Sequence, residues 1–303
     1  MWQLFSLGAI LSNTLEETID KAAMLGSSSL DTFVAALIRN MIVFFIAIAA
    51  AVLLYREFPT LTMSVPIIWW GFVYAIQSIS YTWILKYVEM TAASVTFALL
   101  PLVFLPIDIF LRHEQITNTQ IFGVTLLVLG GLVFFARRDL STKLSNKKYL
   151  LMMAGVLAFD AVVFGSEGYI FKAQFERYEL APASFLVSGM LYMCAFLAIF
   201  LIIRYSLVGN KLKVQGAIAY AKGTSLAKLA DYGNIFLTLQ ALTLATVTQV
   251  MAMKVLHPLF LLVITMIVQQ KLNVDLEEAF TRETVVQKVS GIVLVVIGSF
   301  LIT

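Results

Sequence analysis

The chain has 303 residues, of which 60% are hydrophobic, 13% aromatic and 13% charged, and its mean hydropathy is +0.91. Soluble domains carry about a quarter charged residues and under half apolar ones. A water-soluble globule, a disordered tail, a fibre and a nucleic-acid module are therefore excluded. Twenty-one Lys and Arg against 18 Asp and Glu give a net charge of +3, too small to imply a polyanionic partner. The single cysteine, Cys194, rules out an internal disulfide.

A helix of about 20 mostly apolar residues crosses a ~30 Å hydrocarbon core. On that rule the sequence predicts ten spans: Trp2–Met24, Thr32–Leu54, Ile67–Tyr87, Ala92–Arg112, Asn118–Phe135, Tyr149–Lys172, Ala183–Tyr205, Leu226–Leu244, Thr246–Gln270 and Val285–Ile302. None alternates as a barrel strand would, so the expected fold is an all-α integral membrane protein. The first span starts almost at Met1 with no basic leader and holds Glu16, Glu17 and Asp20, so it reads as a retained helix and not as a cleaved signal. Trp69 and Trp70 open the third span as an expected interfacial belt. Tyr81 and Trp83 further along it read as packing residues or as walls of a cation cage. In the ninth span Pro258, whose missing N–H loosens a helix, follows Lys254 and His257. The longer connections, Arg137–Lys148, Ser206–Ser225 and Lys271–Glu283, are too short for a soluble domain.

The halves repeat each other. A shift of 151 residues lays Glu167 on Glu16, Ile170 on Ile19 and Lys172 on Lys21. A shift of 152 lays Ala245, Val247, Thr248 and Pro258 on Ala93, Val95, Thr96 and Pro106. A shift of 168 lays Gly291 and Gly298 on Gly123 and Gly130, the difference being absorbed near Asn273–Thr284. The expected organisation is a five-helix repeat at 1–136, a basic linker at 137–148 and a second repeat at 149–303. An odd number of spans per repeat inverts the second copy, a pattern of secondary transporters with a site near the midplane between the halves. The seven-residue glycine spacing predicts close helix packing or a dimer surface, leaving monomer and homodimer both open.

Ala93-Ser94-Val95-Thr96, Leu100-Pro101-Leu102, Pro106, Glu114-Gln115-Ile116-Thr117, Gln120, Gly123 and Gly130-Gly131 together resemble the drug/metabolite transporter superfamily, in particular its ten-helix EamA-type members. Trp2 through Asp20-Lys21 looks like that family's first helix. The resemblance spans essentially the whole chain and implies a carrier of small metabolites, while leaving the cargo unspecified. The second half departs from the pattern, with Gln269-Gln270-Lys271 and an acidic insertion in place of the Glu-x-x-Thr turn.

With ten spans, fifteen of the basic residues fall on one side, among them Lys21, Lys228 and Lys288. The positive-inside rule then makes the 5–6, 7–8 and 9–10 loops cytoplasmic and both termini external. The family resemblance implies termini inside. The location expected either way is the cell membrane, crossed many times.

Ionisable groups within spans are costly and usually mark substrate, ion or proton routes. Glu16 and Glu167 are equivalents under the repeat and are expected to face a common cavity. Desolvation favours a protonated carboxyl, which would let such a group trade a proton for a cation. Asp160 lies two turns before Glu167 on the same face. Lys254, His257 and Arg39 supply positive or proton-relaying groups, so a zwitterion or cation is the expected cargo, with protons as possible co-substrate. Glu17 reads as a helix-end pair with Lys21, and Lys228 as a helix-end pair with Asp231. No cofactor or metal is expected. The loop acids Asp275, Glu277 and Glu278 lack the spacing a metal-dependent transferase needs, so an enzyme is disfavoured. A flippase for a polar-headed lipid is the alternative carrier.

Overall fold

A computed structural model describes residues 1–55, 61, 63–87, 90–91, 94, 117–135, 155, 159, 163, 182–208, 213–244, 250, 253–271, 273–276 and 281–302. These form eight helices: α1 (Trp2–Gly26), α2 (Thr32–Tyr55), α3 (Val65–Tyr87), α4 (Asn118–Phe135), α5 (Pro182–Val208), α6 (Ala217–Leu244), α7 (His257–Lys271) and α8 (Arg282–Ile302). There is no strand among the described residues. Thr32–Leu53, Ser184–Leu207 and Arg282–Leu301 are long and apolar enough to cross a bilayer. Phe45, Leu53, Ile202 and Val286 on those helices are more than half exposed, as side chains facing lipid must be. The protein is a helical membrane protein. Most of the expected spans Ala92–Arg112 and Tyr149–Lys172, the linker 137–148, and Asp108, Asp160 and Glu167 lie outside the described residues.

Local chemistry sets several helix starts. Thr117 and Gln120 form a capping box before α4: the Thr117 N–H donates to Gln120 Oε1 at 2.9 Å, and the Gln120 N–H donates to Thr117 Oγ1 at 3.3 Å. Asp31 caps α2 by accepting the Phe33 N–H at 2.9 Å, and Thr281 caps α8 by accepting the Thr284 N–H at 3.3 Å. Gly216 turns into α6 at φ +88°, a backbone angle that side chains oppose.

Two expected boundaries move. α6 starts at Ala217, not Leu226, and α5 runs on to Val208, so much of the expected Ser206–Ser225 loop is helix. Hydropathy penalises Lys222 and Lys228, yet Lys228 is fully buried and neutralised by acids of another helix. The ninth span is not continuous either. A turn at Val255–Leu256 breaks it, and α7 restarts at His257 with Pro258 second. Proline is tolerated there because first-turn N–H groups have no intrahelical partner.

α1 packs along α6, α4 along α8, α2 and α3 against α5, α2 also against α6, and α7 against α1. Trp70, Phe185, Met190, Leu197 and Leu239 centre the largest apolar core. Trp70 is only 3% exposed and stacks near Tyr74 and Phe185, whereas Trp69 is 61% exposed. Adjacent helical residues point about 100° apart, so the expected Trp pair is one belt residue and one core residue. Between α4 and α8 the backbones touch. A Cβ on Gly130 would lie 2.8 Å from the Gly291 carbonyl oxygen, and one on Gly298 would lie 2.6 Å from that of Gly123. The glycine face expected as a possible dimer surface is thus filled within one chain.

Candidate functional site

The site is built on one face of α1. Asn13, Glu16, Glu17 and Asp20 recur at helical spacing, and all but Asn13 are buried. Four buried or half-buried polar groups in an apolar helix need partners, and α6, α2, α3 and α7 bring them.

Lys228 of α6, wholly buried, is the hub. Its Nζ pairs with Glu16 Oε1, lies 2.7 Å from Asp20 Oδ2 and 3.4 Å from Asp231 Oδ2. Thr224, one turn earlier on α6, donates its hydroxyl to Asp20 Oδ1. Arg39 of α2 stands 3.8 Å from Asp20 Oδ2, with its guanidinium 4.4 Å from the ring centre of Tyr81 on α3. Tyr81 donates its hydroxyl to Glu16 Oε2 at 3.5 Å. Among the described residues, the Arg39 Nε and one of its terminal nitrogens are buried without a hydrogen-bond acceptor, and the buried Tyr220 hydroxyl on α6 has Thr224 beside it.

A second group sits beside the first. Asn234 Nδ2 donates to Asn13 Oδ1 at 3.1 Å, and Asn13 Nδ2 donates to Glu17 Oε1 at 3.1 Å. His257 Nε2, at the start of α7, lies 2.9 Å from the same Asn13 nitrogen and 3.5 Å from Glu17 Oε2.

Three expected site residues therefore converge: Glu16 and Arg39 in the first group, His257 in the second. Lys254 is half-buried one turn before His257, across the break in the ninth span. Asp160 and Glu167 lie outside the described residues. Two expected pairings change. Lys228 does meet Asp231, but its nearer partners are Glu16 and Asp20 on α1. Glu17 meets Asn13 and His257 in mid-bundle and does not act as a helix-end group. Tyr81 does wall a cation, and that cation is the protein's own Arg39. Lys228 and Asp20 were not foreseen as site residues. The available signal was spacing, since Asp20 follows Glu16 by one turn on the same face. Lys21, Lys228 and Lys288 are at most 4% exposed, so they do not count as loop charges in the positive-inside comparison.

No protein-family model matches the chain, and no curated protein matches it. Among solved structures 27 chains match. One, described only as "Crystal structure of protein", is 15% identical with a TM-score of 0.62, covering 99% of this chain and 96% of its own. At that identity the likeness is one of fold alone: the helical architecture of this chain, over nearly its whole length, is similar to that of a solved structure.

Proposed function

We propose that this chain is a secondary active transporter of the drug/metabolite transporter type, moving a small zwitterionic or cationic metabolite by alternating access. One observation carries the reading: Glu16, Asp20, Lys228 and Arg39 form a buried cluster of both signs inside a lipid-embedded bundle. Burying ions costs several kcal/mol each, and apolar side chains of similar volume would hold a mere scaffold together at least as well. The cluster matches a cargo with both signs. Glu16 and Asp20 are acceptors for an ammonium group, and the Arg39 guanidinium, held only at 3.8 Å by Asp20, suits a carboxylate.

Ten spans in two inverted repeats complete the reading, and two observations support them. The contact of Gly130 on Gly291 becomes that of Gly298 on Gly123 when each glycine is exchanged for its repeat equivalent. Such reciprocal contacts are those of a local two-fold axis. The packing of α3 on α5 likewise becomes that of α2 on α6 under the same exchange. The break before His257 agrees with the discontinuous helices found at transporter sites. We place the protein in the cell membrane with the basic loops cytoplasmic, which a reporter fused to the C-terminus tests by its exposure.

Purified protein is first screened for thermal stabilisation by amino acids, amines and organic acids, since a ligand stabilises the state it binds. Hits are then assayed for uptake into proteoliposomes with and without a proton gradient. Saturable uptake abolished by Glu16→Gln or Arg39→Gln is expected. Absence of any stabilising solute together with scrambling of polar-headed lipid in the same vesicles would replace the metabolite carrier with a flippase.

A further inference from the structure

The hydrogen-bond directions around Asn13 leave one proton to be placed. The Thr238 hydroxyl donates to Asn234 Oδ1 at 3.4 Å, and Asn234 Nδ2 donates to Asn13 Oδ1 at 3.1 Å. The Thr238 hydroxyl can donate or accept, so the Asn13 amide is oriented by the ionised Glu17 carboxylate, which only accepts, and Asn13 Nδ2 is the donor with two hydrogens. One goes to Glu17 Oε1 at 3.1 Å, and the other points at His257 Nε2, 2.9 Å away. His257 Nε2 is therefore an acceptor in this arrangement, and the imidazole carries its hydrogen on Nδ1. Glu17 Oε2 faces the same Nε2 at 3.5 Å. A bare carboxylate oxygen and an imine lone pair repel each other, and both side chains are more than nine-tenths buried. A single proton between them turns that repulsion into a hydrogen bond.

We propose that Glu17 and His257 form a one-proton binding site joining α1 to α7, with Asn13 as its fixed donor. Glu16 does not serve this role, because Lys228 already occupies it. The proton binds to Glu17 Oε2 and points at His257 Nε2, whose single lone pair it then shares with Asn13 Nδ2, and the other bonds of Asn13 are kept. The charged and titratable groups acting on the pair are Asp20 on α1, Lys228 on α6, Arg39 on α2, Tyr81 on α3 and Lys254 before α7. If the transport reading holds, this is the coupling site, separate from the cargo-binding ions, so Glu17→Gln uptake loses its response to a pH gradient.

The test needs no cargo. The full chain in lipid is titrated while infrared difference spectra record the C=O stretch of protonated carboxyl groups. A titrating band is expected in the wild type and in Glu16→Gln, and its loss is expected in Glu17→Gln. His257→Gln moves the midpoint of that band to lower pH, because the glutamine amide, unlike the imine nitrogen, can turn an N–H onto the carboxylate and favour its ionised form. Survival of the band in Glu17→Gln, or an unchanged midpoint in His257→Gln, overturns the proposal. Where Glu17→Gln does not fold, folded His257→Gln decides alone. A protein that shows the band but takes up no solute keeps the proton site and loses the transport reading.

Discussion

The α1–α6 and α4–α8 interfaces solve the same problem in opposite ways. Helices in lipid gain little from hydrophobic association, so they need close packing or polar contacts to stay together. Between α4 and α8 the residues that matter have no side chain. Gly123 and Gly130 meet Gly298 and Gly291 backbone to backbone. Between α1 and α6 the residues that matter are among the most expensive to bury: Glu16, Asp20, Lys228 and Asp231. The first interface works only in one arrangement, since its fit is steric. The second can be rearranged, because any cation or proton that replaces Lys228 on its carboxylates leaves the charges balanced. On the proposed transport reading, the first pair is the fixed steric joint and the second the binding site.

Removing the hub should do the most damage. Lys228→Met leaves Glu16, Asp20 and Asp231 with only Arg39, 3.8 Å from Asp20, to offset them, and breaking a buried pair from one side costs about 3–5 kcal/mol. A large fall in thermal unfolding temperature in detergent is expected, or failure to accumulate in membranes. The comparison sharpens when the acids are removed too. Lys228→Met with Glu16→Gln and Asp20→Asn should recover most of that loss, since a wholly neutral replacement of buried ions is often no less stable. Recovered stability without recovered solute binding would show that these charges serve ligand recognition. Recovery of binding as well would place the cargo elsewhere.

The steric joint should tolerate even a methyl group poorly. At Gly298 a new Cβ meets the Gly123 oxygen and the Leu127 nitrogen at 2.6 and 2.7 Å. Both are backbone atoms that cannot rotate away. Gly298→Ala and Gly130→Ala are each expected to cost about 1–3 kcal/mol by overpacking. Combined, they should cost less than the sum, because separating the helices once relieves both clashes. Unfolding temperatures of the two singles and the double measure this, and strict additivity would refute a shared rigid interface.

Much of this contrast was legible in the sequence. The seven-residue glycine spacing pointed to close packing, though not to α4 and α8 as each other's partners, and ionisable groups inside apolar runs named Glu16, Arg39 and His257. Lys228 was legible only in part: its pair with Asp231, three residues on, is present, while its nearer partners on α1 are far away in sequence and carried no local signal. The start of α6 was misplaced for a related reason: hydropathy scores a lysine as if it stood alone, and cannot see its neutralisation by another helix. Pro258 marked a weak point in the ninth span, but a proline is compatible with a kink, a break or a helix start. The turn at Val255–Leu256 selects the last. Asn13, a half-buried asparagine in an apolar helix, gave no sign that it would orient both Glu17 and His257.

The smallest effect separates buried from exposed electrostatics. Arg204 and Asp31 pair at 3.6 Å near the ends of α5 and α2, with the arginine side chain 40% exposed. An ion pair that water reaches contributes about 0–1 kcal/mol, and salt screens it because the Debye length is about 8 Å at physiological ionic strength. Arg204→Gln should therefore lower the unfolding temperature slightly in dilute buffer and not at all in high salt. The loss in Lys228→Met should persist at both, because counter-ions do not enter a site where Lys228 and Asp20 have no exposed surface. If salt instead rescues Lys228→Met, small cations reach the α1 carboxylates. The cluster would then be open to solvent, which is how a binding site behaves and how a sealed structural ion network does not.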